Sequence, residues 1–273
     1  AGRHVGQEPH TRDRLCPGRG GIWLAQRRMG PIIMTREING WTDSAEAWIA
    51  SIGETGDWTR KTVLDAAMLE RVNGQSGTFL DIGCGEGRFV RMLQDRGLHG
   101  VGIDPVERLI EAAKQHDPKG DYRIGVGEQL AFEDDSFDLT VSYLSLIDIE
   151  DFRAAIREMT RVTKFGGSIL VANLASHFTA GKWERSADGG GKRFEIDNYH
   201  EEGASREQWL GIDVLNWHRP LSAYFSEFLD NGLILKHFSE PVPPDQSDPK
   251  SDRYTRVPGF VVMEWEKPQE MKA

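Results

Sequence analysis

Hydrophobic positions change period as the chain is read from its amino end. Over residues 41–73 apolar side chains return at helical spacing, which predicts two helices. Asp43 or Ser44 is placed to cap the first, with Glu46 in its opening turn, and residues 53–56 break it. Asp57 caps the second, which carries Val63, Leu64, Ala67, Met68 and Val72 along one face and stops at Asn73-Gly74. Short apolar runs then alternate with amphipathic ones. Strands are expected at 78–82, 100–104, 122–125, 137–143 and 168–173, and helices at 88–96, 105–116 and 151–162. Pro105 is expected at the first position of its helix, where its missing N–H costs nothing. This alternation predicts an α/β fold built on a doubly wound, mostly parallel sheet, with ligands held at the carboxyl ends of the strands.

The rhythm breaks over residues 174–219. That stretch holds Phe178, Trp183, Phe194, Tyr199, Trp209 and Trp217 and the run Gly189-Gly190-Gly191. It is too long for a plain loop and too aromatic for disorder, and is expected to fold over the carboxyl edge of the sheet as a lid. A helix at 220–231 and strands at 233–240 and 260–266 complete the pattern, joined by a proline-rich connection at 241–258.

The chemistry concentrates at Leu80-Asp81-Ile82-Gly83-Cys84-Gly85-Glu86-Gly87. An apolar run ends on an acid, three glycines follow at alternate positions, and a helix begins. Glycine admits close backbone approach, and a helix start offers unpaired N–H donors, so this is a place for a nucleotide-like ligand. Roughly twenty residues on, Gly102-Ile103-Asp104 ends a second apolar run on an acid, where a ribose hydroxyl pair is read in such folds. A nicotinamide-dependent oxidoreductase is the second reading of the turn, but its fingerprint wants glycine at position 88, where Arg88 stands.

Composition narrows the partners. The 273 residues carry a formal net charge of −10, which disfavours the clustered cations of a nucleic-acid footprint. No apolar run approaches the roughly 20 residues of a membrane span, so no membrane partner and a cytoplasmic location are expected. Cys16 and Cys84 suggest neither a disulfide framework nor a metal site. The first 34 residues hold six arginines, no lysine and two acids, a balance of +4 that leaves −14 for the remainder. Met34 fits a native start, with residues 1–34 an upstream extension, 35–76 a helical cap and 77–273 the main domain with its lid at about 175–219.

Four stretches in order resemble the class I S-adenosylmethionine-dependent methyltransferases, in particular the small-molecule type 11 group. The first is residues 80–89 and the second Gly102-Ile103-Asp104. The third is Gly127-Glu128-Gln129-Leu130-Ala131-Phe132 followed by Asp135-Ser136-Phe137-Asp138-Leu139, and the fourth is residues 157–167. The resemblance implies a Rossmann-like methyltransferase fold of seven strands, six parallel and one antiparallel. It implies S-adenosylmethionine as cofactor, S-adenosylhomocysteine as product and a small-molecule acceptor. A binding protein that kept the cofactor pocket without transferase activity stays open beside it. Val126 stands where the family often has an acid reading the adenine amino group, and Phe165 replaces a proline before the double glycine.

Carried onto this sequence, Gly83, Cys84, Gly85 and Gly87 let the backbone approach the cofactor, and Asp81 faces its amino group. Asp104 accepts from the ribose hydroxyls, or caps the helix after Pro105. Gly127, Glu128 and Gln129 form the adenine side, or a solvated turn. Tyr143 floors the transfer site with Leu144 and Ser145. Gly56-Asp57-Trp58-Thr59-Arg60 matches a family pattern in which Arg60 clamps the cofactor carboxylate; otherwise Asp57 and Arg60 are a surface pair. Trp41, Trp48, Tyr199, Trp209, Trp217 and Tyr224 are candidates for an aromatic acceptor pocket, or for the core. Asp148, His177 and His218 are the candidate bases for an acceptor that must lose a proton, with His200 a further histidine; a lone histidine is as readily structural.

Overall fold

Alternation on the strands around the glycine turn buries both faces of a single sheet. The computed structural model describes residues 39–185 and 192–269. The expected extension at 1–34, Cys16, the start of the cap and the triple glycine lie outside the described residues.

The first helix is α1 (Trp41–Ile52); a π-helical turn (Arg60–Leu64) then runs into α2 (Asp65–Arg71). The alternating part follows as β1 (Thr78–Ile82), α3 (Arg88–Gln94), β2 (His99–Asp104), α4 (Glu107–His116), β3 (Asp121–Ile124), β4 (Phe137–Tyr143), α5 (Phe152–Val162) and β5 (Thr163–Leu174). A short α6 (Ser176–Thr179) precedes two hairpins, β6 (Gly181–Arg185) with β7 (Lys192–Ile196), and β8 (Gly203–Trp209) with β9 (Ile212–His218). The chain closes with α7 (Leu221–Asp230), β10 (Ile234–Ser239), α8 (Ser251–Arg256) and β11 (Phe260–Glu266).

The main sheet has seven strands in the order β10-β11-β5-β4-β1-β2-β3. All neighbours pair in parallel except β11, which runs antiparallel to both β10 and β5. The chain winds outward from β1 to β3, then returns to the other side of β1 as β4. That reversal opens a crevice at the carboxyl ends of β1 and β4. On β1, Phe79 packs into one apolar cluster with residues of α2 and α3, while Leu80 and Ile82 pack into the other with residues of α5 and α7. The glycine turn is thereby held between two filled layers. Trp265, fully buried on β11, stacks on Phe228 of α7 at 4.8 Å and locks the far edge of the sheet to the helical layer.

Three local expectations are corrected. Neither Asp43 nor Ser44 caps α1; Gly40, in the left-handed region at φ 85°, precedes Trp41, and the Ser44 hydroxyl donates to the Asp213 carbonyl at 3.2 Å. Pro105 does not open α4. The Asp104 carboxylate accepts the Val106 N–H at 2.9 Å, and this turn consumes Pro105 and Val106 before the helix begins at Glu107. The 174–219 stretch, which shows no strand pattern in sequence, holds the two hairpins. Their sides are mostly exposed or half-buried, so the period-two alternation that marks a core strand is weak there. Asp151, the first residue of the helix expected at 151–162, caps α5, its carboxylate accepting the Ala154 N–H at 2.9 Å.

Candidate functional site

The turn after β1 is built from backbone that only glycine supplies cheaply. Gly83 and Gly85 sit at φ 72° and 56°. A Cβ on Gly83 would lie 2.4 Å from the Ser145 Cβ, so the turn after β1 and the turn after β4 touch where the sheet order reverses. A Cβ on Gly85 would face the Trp48 indole nitrogen at 3.5 Å, which places α1 opposite the turn. Gly87, at φ 79°, closes the turn against the Tyr122 ring, 2.5 Å from where its Cβ would stand. Between these parts lies a cleft enclosing about 380 Å³, open solvent included. Trp48 and Arg60 line one wall; Asp81, Gly83, Cys84 and Gly85 line the other; Tyr143 lies between.

Two buried acids end the strands beside it. Asp104 is buried at the end of β2, and its carboxylate accepts the Gly85 N–H at 3.0 Å as well as that of Val106. Burial pushes its carboxyl up to about 6, against the pull of these two N–H groups. Asp81, at the end of β1, is 1% exposed and its Oδ1 has no hydrogen-bond partner. Burial, with the neighbouring charges of Asp104 and Glu86 added, pushes its carboxyl up to about 8. An orphaned buried carboxylate oxygen beside a turn with glycine at alternate positions is a cradle for a cationic ligand with hydroxyls. The residues present therefore fit S-adenosylmethionine: Asp81 for its ammonium, Asp104 for its ribose, and the cradle of Gly83 and Gly85 for its methionine portion.

Arg60 begins the π-helical turn, which closes with the Asp65 N–H on the Arg60 carbonyl. Its guanidinium pairs with Asp57 and lies 4.6 Å from the centre of the Trp48 ring and 5.7 Å from that of Tyr143. Although burial pushes the Asp57 carboxyl up, Arg60 holds it below the usual range. Sequence reasoning missed the layer beneath. Arg88, buried in the first turn of α3, makes a two-pronged bridge to Asp65, one contact at 3.0 Å, and the Tyr143 hydroxyl donates to Asp65 at 2.9 Å. The only sequence signal for this network is an acid at position 65 between apolar Leu64 and Met68.

The remaining candidates fall in different places. Cys84 lines the cleft, but its thiol packs against Gly102 and burial pushes it up. Gly127 packs against Ile82 and Ile149. Glu128 is half-buried with its carboxyl pushed up, chiefly by burial, while Gln129 is exposed in the turn that bridges Val126. Trp41 stands edge-on to Trp48 at 5.4 Å. The Trp217 backbone N–H donates to the Ile147 carbonyl at 2.8 Å, beside Asp148. Asp148 is half-buried; Asn216 donates to its Oδ1 at 2.6 Å and Asn39 to its carbonyl at 2.8 Å.

Other candidates are placed in structural roles. Tyr224 is in the core, 4.9 Å from Phe152 and 2% exposed. Trp209 lies at the exposed tip of the β8–β9 hairpin, away from the cleft-lining residues. The Tyr199 hydroxyl accepts the Leu221 N–H and its carbonyl holds His218 at 2.9 Å. The other ring nitrogen of His218 meets the Thr179 hydroxyl at 2.6 Å, so both sides of the imidazole are engaged. His177 meets the Pro258 carbonyl at 2.8 Å. Among the described residues, Asn216 holds one oxygen of the Asp148 carboxylate, and the Trp41 indole lies beside the carboxylate.

Comparison with known proteins agrees with this geometry. Residues 80–171 match the methyltransferase-domain family of type 11. A malonyl-[acyl-carrier protein] O-methyltransferase of Serratia marcescens is 32% identical over 126 residues, 44% of this chain and 49% of that protein. A demethylmenaquinone methyltransferase of Renibacterium salmoninarum is 35% identical over 133 residues, 49% of this chain and 54% of that protein. The chain thus spans about half the length of the curated relatives it matches. Among solved structures, a protein of Listeria monocytogenes described as a candidate S-adenosylmethionine dependent methyltransferase superposes with a TM-score of 0.66 at 26% identity, over 75% of this chain and 98% of that one. An S-adenosylmethionine dependent methyltransferase from Mesorhizobium loti shares the fold with a TM-score of 0.69 at 24% identity, over 78% of this chain and all of that one.

Proposed function

We infer that this chain, whose residues 80–171 match the type 11 methyltransferase-domain family, is a class I S-adenosylmethionine-dependent enzyme that moves the methyl group of S-adenosylmethionine to a small-molecule acceptor. The observation that carries this is the pairing of the glycine cradle with two buried acids, Asp81 and Asp104, at the point where the strand order reverses. The curated relatives are named as acting on a carrier-bound malonyl group and on demethylmenaquinone. Both are small acceptors, and the charge of −10 favours that class here.

When bound, the cofactor supplies a sulfonium whose methyl carbon is already activated toward a nucleophile. The chain's own work is positioning and exclusion of water. Asp104 fixes the ribose while its two backbone hydrogen bonds fix Asp104 itself. Asp81 holds the ammonium, and Arg60, stacked on Trp48 and tied to Asp57, holds the carboxylate. Glu128 faces the adenine side. Tyr143, Leu144 and Ser145 floor the transfer site, and the β8–β9 hairpin closes the acceptor side against α1. In domain terms, residues 35–76 act as the cap over a domain that begins at residue 77.

Turnover decides between an enzyme and a pocket that only binds. Incubated with S-adenosylmethionine and a panel of amines, phenols, thiols and carboxylic acids, the protein is expected to form S-adenosylhomocysteine above its acceptor-free rate with at least one class. A folded protein that binds the cofactor and forms none with any class would be a binding protein instead.

A further inference from the structure

The acids around the cleft are poorly balanced by cations. Arg60 is tied to Asp57, and Arg88 to Asp65. Among the described residues, no lysine, arginine or histidine nitrogen lies within ion-pair distance of the carboxylates of Asp81, Asp104 or Asp148. Three carboxylates thus share one region, close enough that Asp148 feels the charges of both Asp104 and Arg60. With Asp81 and Asp104 given to the cofactor, the field on the acceptor side is that of the Asp148 carboxylate, which has no ion-pair partner among the described residues. Such a field attracts a cation and repels a carboxylate or phenolate.

The side chains at that point suit a cation as well. Asp148 follows the turn after β4 and is fixed on one oxygen by Asn216, at 2.6 Å. Asn216 is set in turn by the hydrogen bonds of its neighbours, Leu215 N–H to the Asn39 carbonyl at 2.9 Å and Trp217 N–H to the Ile147 carbonyl at 2.8 Å. The Trp41 indole adjoins the carboxylate without reaching hydrogen-bond geometry, and its ring meets that of Trp48, which lines the cleft. A carboxylate with an indole beside it suits an ammonium: the carboxylate accepts the N–H groups and neighbouring aromatic rings add to the attraction. Burial pushes the Asp148 carboxyl up to about 7, where a carboxylate can take a proton near neutral pH.

Resting on the methyl-transfer reading above, we propose that the acceptor is an amine that enters as its ammonium ion beside Trp41 and Trp48, with its nitrogen on Asp148. The Asp148 oxygen that Asn216 does not hold takes one ammonium proton, which gives a neutral amine and a carboxylic acid. The amine lone pair then forms the N–C bond, the C–S bonding pair stays on sulfur, and the methylated nitrogen carries the positive charge. Asn216 is a positioning residue that keeps Oδ1 occupied and leaves the other oxygen to the ammonium.

Choline and its neutral isostere 3,3-dimethylbutan-1-ol test the site without turnover, since a quaternary nitrogen accepts no methyl group. Each is titrated into the wild-type protein saturated with S-adenosylhomocysteine, with tryptophan fluorescence and calorimetry as readouts. Choline is expected to bind at least tenfold more tightly than the isostere. That ratio is expected to fall to about one in Asp148→Asn and in Asp148→Ser, two substitutions measured together so that a fold defect in one does not hide the result. Equal affinities in wild type, or binding of neither probe to the loaded protein, would overturn the proposal, as would a ratio kept in both variants. If S-adenosylhomocysteine itself does not bind, it is the methyl-transfer reading that fails.

Discussion

Asp104 does two jobs with one carboxylate. It satisfies the N–H groups of Gly85 and Val106, and in the proposed function its remaining lone pairs accept from the cofactor ribose. Asp104→Ala leaves both N–H groups without their partner, at about 1–3 kcal/mol for each one left buried, and removes the ribose contact. It is expected to weaken S-adenosylhomocysteine binding at least tenfold, read by calorimetry. Asp81 and Asp104 also set a pH dependence. Both carboxyls titrate higher in the fold, about 8 and about 6, than the roughly 4 of an unfolded chain. Protonated, they stabilise the ligand-free protein, in full below pH about 4, and that contribution is lost as pH rises through about 6 and then about 8. The melting temperature of the ligand-free protein is therefore expected to fall between pH 5 and 8 more steeply than that of Asp81→Asn, which cannot ionise at this position. Parallel curves for the two would refute the assignment.

At the scale of elements, the hairpin β8–β9 and helix α1 act as one clamp. Ser44 and Asp213 exchange two hydrogen bonds, at 3.2 and 2.9 Å, and Asn39 joins Leu215 to the Asp148 carbonyl. Gly40 makes this approach possible: at φ 85° it turns the chain into α1, and a Cβ there would stand 2.2 Å from the Asp213 carbonyl oxygen. Gly40→Ala is expected to cost about 2 kcal/mol or more, which lowers the melting temperature by about 4–8 °C, and to raise hydrogen exchange in residues 203–218. Exchange unchanged there would show that the hairpin docks independently of α1. This clamp is also where the sequence is least informative. The strands beside the glycine turn are legible because two-sided burial leaves an apolar run ending on an acid. The hairpin strands are half-exposed and carry Arg206, Glu207 and Gln208 where a core strand would be apolar, so their pairing follows from tertiary contacts alone. The same reason hides Asn216, an ordinary polar residue until the fold brings it to Asp148, and the Arg88–Asp65 bridge, whose partners are 23 residues apart.

Over the whole molecule, the site is assembled from segments far apart in sequence. The cradle comes from residues 80–87 and the opposing wall from α1 and the π-helical turn. The C-terminal connection packs behind that turn, where Trp58 donates to Asp248 at 3.0 Å and stacks on Tyr254 at 5.6 Å. A ligand that touches both walls ties them together, so it stabilises the fold as a unit. At 100 times its dissociation constant S-adenosylhomocysteine adds about 2.7 kcal/mol, expected as a rise of about 5–11 °C in melting temperature. The glycine turn and the acids that end β1 and β2 are legible in the sequence, whereas the proposed acceptor side depends on residues with no local signature. The most direct test is therefore a calorimetric titration of S-adenosylhomocysteine into wild type and Asp104→Ala side by side. One site of micromolar affinity in the wild type, at least tenfold weaker in the variant, is the expected result. A folded wild-type protein that gives no binding heat at several temperatures, or a variant that binds as tightly as wild type, would contradict a methyl-donor site at the turn after β1.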